Sequence, residues 1–208
     1  MVSQPGRASP TFTSFTQHAP AESAQGSKLT SYRVERIGTV RGAPAPSIEL
    51  QKPLWRIESS GQLPVSDAPY VGTTGHVVYT DTATRTELAR ISAPETLPRA
   101  VLIPICKSSE WWGMAQDSRQ AYLDGTRQSG HVAIGRAYAS CIYRRLYHAR
   151  YLPGSQWDFL TYFEFSDADT KRFEELLAAL RDPKQNPEWA FVDRELEIWM
   201  TRTAATVS

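Results

Sequence analysis

Two neighbouring stretches, CIYRRLYHARYL (141–152) and WDFLTYFEF (157–165), alternate with a period of two and are separated only by PGSQ. Successive side chains of a β-strand point to opposite faces. Ile142, Arg144, Leu146, His148 and Arg150 therefore share one face of the first run, with Tyr143 and Tyr147 on the other. In the second run Trp157, Phe159, Thr161 and Phe163 stand opposite Leu160 and Tyr162. With large side chains on both faces, this pair of strands must be covered twice. Helices can cover one side; the other needs the N-terminal half of the chain, a second subunit or a ligand.

The flanking signals supply the helices. AVLIPICKS (100–108) has strand length, with Pro104 hinting at an edge or a bulge. EWWGMAQDSRQAYLDG (110–125) predicts a helix ending near Gly125, and GHVAIGRAYA (130–139) a second short helical piece. In SDADTKRFEELLAALRD (166–182), Phe173, Leu176, Leu177 and Leu180 follow helical spacing after a Ser–x–x–Asp start. EWAFVDRELEIWM closes the series as a strand, with Val192, Leu196, Ile198 and Met200 on one face. The order strand, helix, strand, strand, helix, strand is ferredoxin-like: an α+β fold of the dimeric α/β-barrel type, an antiparallel sheet with helices on one face. Such a fold hosts many functions and decides no chemistry.

Three segments are expected. Residues 98–202 form the ferredoxin-like domain, and 29–97 a shortened N-terminal subdomain. Residues 1–28, rich in small and polar residues, read as a disordered tail in which Phe12 and Phe15 have no evident apolar partners. Within the subdomain, SIELQKPLWRIESS and GHVVYTDT look like strands and TATRTELARI like a short helix, with no sequence repeat. At 208 residues and 41% apolar, the chain supports one ordinary core with a smaller appended half. A net charge of +1 argues against a dedicated nucleic-acid binder. No apolar run reaches membrane-spanning length, and the N-terminus lacks the apolar core of a secretion signal, so a soluble cytoplasmic protein is expected. Cys106 and Cys141 lie in apolar runs without metal-type spacing and read as buried free thiols.

Common hydrolytic, phosphate-binding and zinc motifs are missing, and His18, His76, His131 and His148 are scattered. What remains is a helical histidine, arginines on the following strand and many aromatic residues. That combination suits haem held by one axial histidine, because the porphyrin supplies the other four nitrogens and aromatic rings wall the macrocycle. An arginine above the open face suits an anionic substrate. On type and spacing alone, a satisfied core or surface histidine stands beside that reading.

LIPICKSSEWWGM, SGHVAIG, YRRLYHAR, DFLTYFEF and PEWAFVDRELEI together resemble the chlorite dismutases, particularly their shorter, dimeric lineage. The resemblance covers about residues 98–200, is faint over 54–97 and is missing over 1–50. It implies a haem b enzyme that converts chlorite to chloride and dioxygen, in a homodimer. His131 matches the proximal iron ligand, Glu188 the carboxylate behind it and Lys107 the lysine holding that carboxylate. Arg144 matches the distal arginine, Phe159 and Thr161 the distal wall, and Trp111 and Trp112 the paired tryptophans near the haem edge. Arg145, Arg150 and His148 receive no role from it. The loop YLPGSQW is one residue longer than the family pattern, which bears on access to the site. The alternatives are coproheme decarboxylase, a relative without the distal arginine, and a haem-binding protein without turnover.

Overall fold

The computed structural model describes residues 11–18, 30–44, 54–60, 62–63, 69–74, 97–123 and 130–203. Eight strands run β1 (Thr11–His18), β2 (Thr30–Arg41), β3 (Leu54–Ser60), β4 (Tyr70–Thr74), β5 (Arg99–Lys107), β6 (Ile142–His148), β7 (Phe159–Phe165) and β8 (Val192–Arg202). The described helices are α1 (Ser109–Gly113), α2 (Gln116–Leu123), α3 (His131–Tyr138) and α4 (Thr170–Arg181), with 3-10 turns at Asp167–Asp169 and Pro187–Phe191.

The strands close into one antiparallel barrel in the order β1-β3-β2-β8-β5-β7-β6-β4. Four neighbours, β8-β5-β7-β6, are the ferredoxin-like sheet expected from the sequence. Counted in chain order within their own half, they lie 4-1-3-2. The other four, β4-β1-β3-β2, lie in the same 4-1-3-2 order. The barrel is thus a topological repeat joined along β2–β8 and β4–β6, although the sequences of the halves show no repeat.

The barrel settles what covers the second sheet face. Phe15, Tyr32, Val34 and Tyr70 of the N-terminal strands pack inside it against Leu102, Tyr147, Leu160, Tyr162, Leu196, Ile198 and Met200. At one end of the interior, Glu164 Oε1 accepts from the hydroxyls of Tyr162 at 2.5 Å and Tyr32 at 3.0 Å, and Arg202 donates to Tyr32 at 3.0 Å. On the outside, α4 lays Phe173, Leu176 and Leu177 on Val101, Ile142, Phe163, Phe165 and Trp199. The i, i+3, i+4 spacing read in the sequence is that contact stripe.

Several expectations change. Residues 11–18 are a strand rather than tail: β1 pairs with β3 and β4, and Phe15 is fully buried. Thr-rich sequence suits a pleated, half-buried strand once neighbours exist to pair with it. Trp157 precedes β7 instead of continuing its alternation, and it packs inside the barrel with Leu160. Pro104 sits in a central strand; the β5–β8 pairing lapses at residues 103–104, which spares the missing N–H. A register slip between Cys106 and Lys107 turns Val192 away from the Leu196–Ile198–Met200 row, because cross-strand partners share a face and Val192 pairs with Lys107. The helix expected over 110–125 is two pieces, broken at Met114 and Ala115. Cys106 and Cys141 are free and half-buried. The strand expected over 75–82 and the helix over 82–91 lie outside the described residues.

Because Phe15 fills the barrel interior, Phe15→Ala is expected to destabilise the protein by about 3 to 5 kcal/mol, measured by urea unfolding. A tail residue would change it by a few tenths.

Candidate active site

His131 and Gly135 of α3 meet Arg144 of β6 on the outer face of the sheet, at a candidate site. The register sets its wall: Arg144 pairs with Phe163, Leu146 with Thr161 and His148 with Phe159. On the other side of β7, Val101, Ile103 and Ile105 of β5 face the same three residues. Phe159 and Thr161 are buried in that wall.

His131 begins α3. The residue before it, Gly130, has φ of 98°, a conformation that favours glycine, and donates its N–H to the Gln185 carbonyl at 2.9 Å. That bond ties the start of α3 to the segment leading into the 3-10 turn that carries Glu188. His131 Nδ1 lies 3.0 Å from Glu188 Oε2, and Lys107 Nζ lies 2.6 Å from Glu188 Oε1. Lys107 also caps the face of Trp111, 4.9 Å from the ring centre. Trp111 is fully buried, beside Tyr122 and Phe191, and shields this row of charges from water.

The charges follow from the geometry. Burial alone would push the Glu188 carboxyl up, but the Lys107 ammonium and His131 outweigh it and hold the acid far below the usual carboxylate range. Burial and the Arg144 guanidinium push His131 below its ordinary value, so the imidazole is neutral at pH 7. Its proton belongs on Nδ1, facing the carboxylate, which leaves a lone pair on Nε2. A guanidinium nitrogen of Arg144 touches that Nε2. Burial lowers the Arg144 pKa to about 10, with Glu188 opposing, so the group remains a cation near neutrality.

The sequence-predicted residues thus divide into two groups. His131, Glu188, Lys107 and Trp111 form one connected row, and Arg144, Phe159 and Thr161 lie on the sheet. Trp112 diverges from Trp111: its ring stacks on Phe159 at 5.9 Å and its indole donates to Asp158 Oδ2 at 3.0 Å. Arg145 is exposed, beside Tyr143 on the opposite strand face. His148 packs edge-on to Phe159. Sequence reasoning missed Gly135. A Cβ there would come within 3.2 Å of Arg144 Nη1, so the bare backbone one turn beyond His131 makes room for the guanidinium. Its signal was a glycine inside a short helix, where it costs about 1 kcal/mol relative to alanine.

Among the described residues no three His, Cys, Asp or Glu side chains converge on a metal site. The site offers one imidazole donor, and the buried Glu188 Oε2 beside Nδ1 lacks a well-directed hydrogen bond. That donor set fits a cofactor bringing its own equatorial ligands, as haem does, with a carboxylate placed to accept from the imidazole.

Neither a family model nor a curated protein sequence matches the chain. Solved structures do. A dimeric chlorite dismutase from Nitrobacter winogradskyi superposes with a TM-score of 0.69 at 28% identity, over 93% of this chain and 99% of that one. This is the chlorite dismutase fold. A chlorite dismutase from Candidatus Nitrospira defluvii in complex with imidazole gives a TM-score of 0.61 at 18% identity, over 94% of this chain and 90% of that one. A mutant chlorite dismutase from the same organism gives 0.59 at 19%, over 94% and 91%. At 93% of the chain, the superposition reaches beyond residues 98–200, into the N-terminal part where the sequence resemblance is faint over 54–97 and missing over 1–50.

Lys107→Met is expected to cost about 3 to 5 kcal/mol at pH 7, since it leaves Glu188 buried and unpaired. Because Glu188 has a depressed pKa when folded, this stabilisation is fully present above the ordinary carboxylate value of about 4.3. It is lost as pH falls toward the folded value. Urea titrations should therefore show the gap between variant and parent narrowing below that pH.

Proposed function

We propose that the protein is a haem b enzyme that converts chlorite into chloride and dioxygen, working as a homodimer. The observation that carries this reading is a neutral, carboxylate-backed imidazole whose Nε2 meets a half-buried guanidinium. The dimer is drawn from the Nitrobacter winogradskyi protein, described as dimeric. No helix among the described residues is long and apolar enough to cross a membrane, and a cytoplasmic location accords with that.

His131 would hold the iron through Nε2, and haem bound there would supply the redox chemistry for turning chlorite into chloride and dioxygen. Glu188 draws on the Nδ1 proton and so strengthens the donation from Nε2. Lys107 keeps Glu188 ionised in a site that would otherwise protonate it. Arg144 binds the anion by charge and by its fork of N–H donors, and holds it at the reacting centre. Phe159, Thr161 and Leu146 line the sheet side and limit water beside that anion. The overall reaction leaves no proton to dispose of, which suits a distal side with a group that is cationic near neutrality and with no acid.

The second reading, coproheme decarboxylation, is disfavoured by Arg144, a guanidinium where that relative has none. The experiment reconstitutes the protein with haem and measures oxygen release from chlorite. The ferric Soret band should be lost in His131→Ala, and oxygen release should fall at least tenfold in Arg144→Ala with haem retained. Loss of propionates from coproheme and peroxide, without oxygen release, would establish the decarboxylase instead. Haem binding with neither activity would leave a carrier. As pH approaches about 10, where Arg144 gives up its proton, KM for chlorite should rise. Initial rates across pH 7 to about 10.5 check the sign, since a cation is lost only on the alkaline side.

A further inference from the structure

Asp158 stands at the start of β7, buried, and takes no part in the chemistry described above. It nevertheless makes the densest set of polar contacts near the site. Its carboxylate Oδ2 accepts from the backbone N–H of Lys107 at 2.7 Å and from the Trp112 indole at 3.0 Å. Oδ1 accepts from Arg150 Nη1 at 2.7 Å, and the Arg150 guanidinium lies 4.0 Å above the Trp112 ring. The Asp158 N–H donates to the Ile105 carbonyl at 3.0 Å, while its own carbonyl accepts from Ala149 and Arg150.

The position of these bonds gives them meaning. β5 slips register against β8 between Cys106 and Lys107. Such an irregularity disrupts the ladder locally and re-aims the side chain that follows it. Asp158 grips the strand on both sides of that slip, by its main chain at Ile105 and by its carboxylate at Lys107. Lys107 is the residue whose ammonium reaches Glu188. An error at its Cα passes directly to the 2.6 Å contact, because the ammonium is confined between Glu188 and the Trp111 ring.

We propose that Asp158 is a positioning residue that clasps the end of β5, fixing Lys107 on Glu188 and, through Trp112 and Arg150, tying the 149–158 loop to the same frame. The consequence for haem rests on the reading under Proposed function. The consequence for Lys107 does not. The carboxylate has one atom for the Lys107 and Trp112 donors and another for Arg150, so its substitutions separate these links. Asn in place of Asp keeps an acceptor toward Lys107 and turns its amide on Arg150. Ala removes both acceptors, and Glu displaces the grip by one methylene.

The test has two arms on the full chain. Without cofactor, nitrogen-labelled lysine reports the Lys107 ammonium by NMR; buried and ion-paired, it should exchange slowly enough to be seen. It is expected to persist in Asp158→Asn and in Trp112→Phe, and to be lost in Asp158→Ala. With haem loaded, resonance Raman of the ferrous protein reads the iron–histidine stretch, which should fall in Asp158→Ala and hold in Asp158→Asn. A carboxylate that merely stabilised the fold would lower the unfolding midpoint and leave both signals in the folded fraction. Retention of the ammonium signal and of the stretch in folded Asp158→Ala would overturn the proposal. If the alanine variant does not fold, Asp158→Glu serves: parent-like signals there would overturn it, and shifted ones support it. A chain that takes up no haem would sink the enzymatic reading, while the ammonium signal would still decide the role of Asp158.

Discussion

The buried row Lys107–Glu188–His131 is the constraint around which the rest of the molecule is arranged. Its members come from the end of β5, the 3-10 turn before β8 and the first residue of α3. Each would be costly to bury alone. Together they leave one anion between one cation and one neutral ring, roofed by Trp111. Moving any one of the three elements strands a charge in an apolar setting, so the row fixes how α3 docks on the sheet. Gly130, bonded to Gln185, and Asp158, bonded across the β5 slip, supply the two local distortions that let these elements meet.

The C-terminal half was legible because two periodicities agree with each other. The alternation of 141–165 and the helical stripe of Phe173, Leu176, Leu177 and Leu180 describe the two sides of one interface. Residues 1–97 gave no such agreement. Thr11–His18 contains no branched aliphatic residue, and its strand is made by partners roughly 40 to 60 residues away, at β3 and β4. Pairing over such distances is dictated by the barrel rather than by local propensity. The repeated 4-1-3-2 order escaped for the same reason. Strand order is a property of the whole sheet and leaves no residue signature when the two halves fill different parts of the core.

The candidate site was legible only as a set. His131, Glu188, Lys107 and Arg144 are individually ordinary, and the structure brings all four into one chain of contacts. Phe159 and Thr161 fall where alternation puts them. The alternation failed one residue earlier, at Trp157, because the strand begins only at Phe159. Asp158 escaped for a related reason: between two aromatic residues of an apparent strand, an acidic side chain looks like a solvated position. What identifies it is its hydrogen bond from the Lys107 amide, made beside a register slip that no local pattern announces.

The path from His131 to Arg144 explains how one short stretch brings an imidazole and a guanidinium together. From His131 to Tyr138 the helix advances about 10 Å. Three turn residues reverse the chain at 139–141, and β6 runs back about 7 Å by Arg144. The two Cα positions are therefore offset along the element axis by a few ångströms, a gap that an extended arginine spans. Gly135 presents no side chain on the helix to obstruct that reach. A residue nearer the turn would face the middle of α3, and one farther along β6 would pass its start. Position 144 is thus the place on the strand where a long cationic side chain meets the first residue of the helix, and its length and planar fork matter as much as its charge.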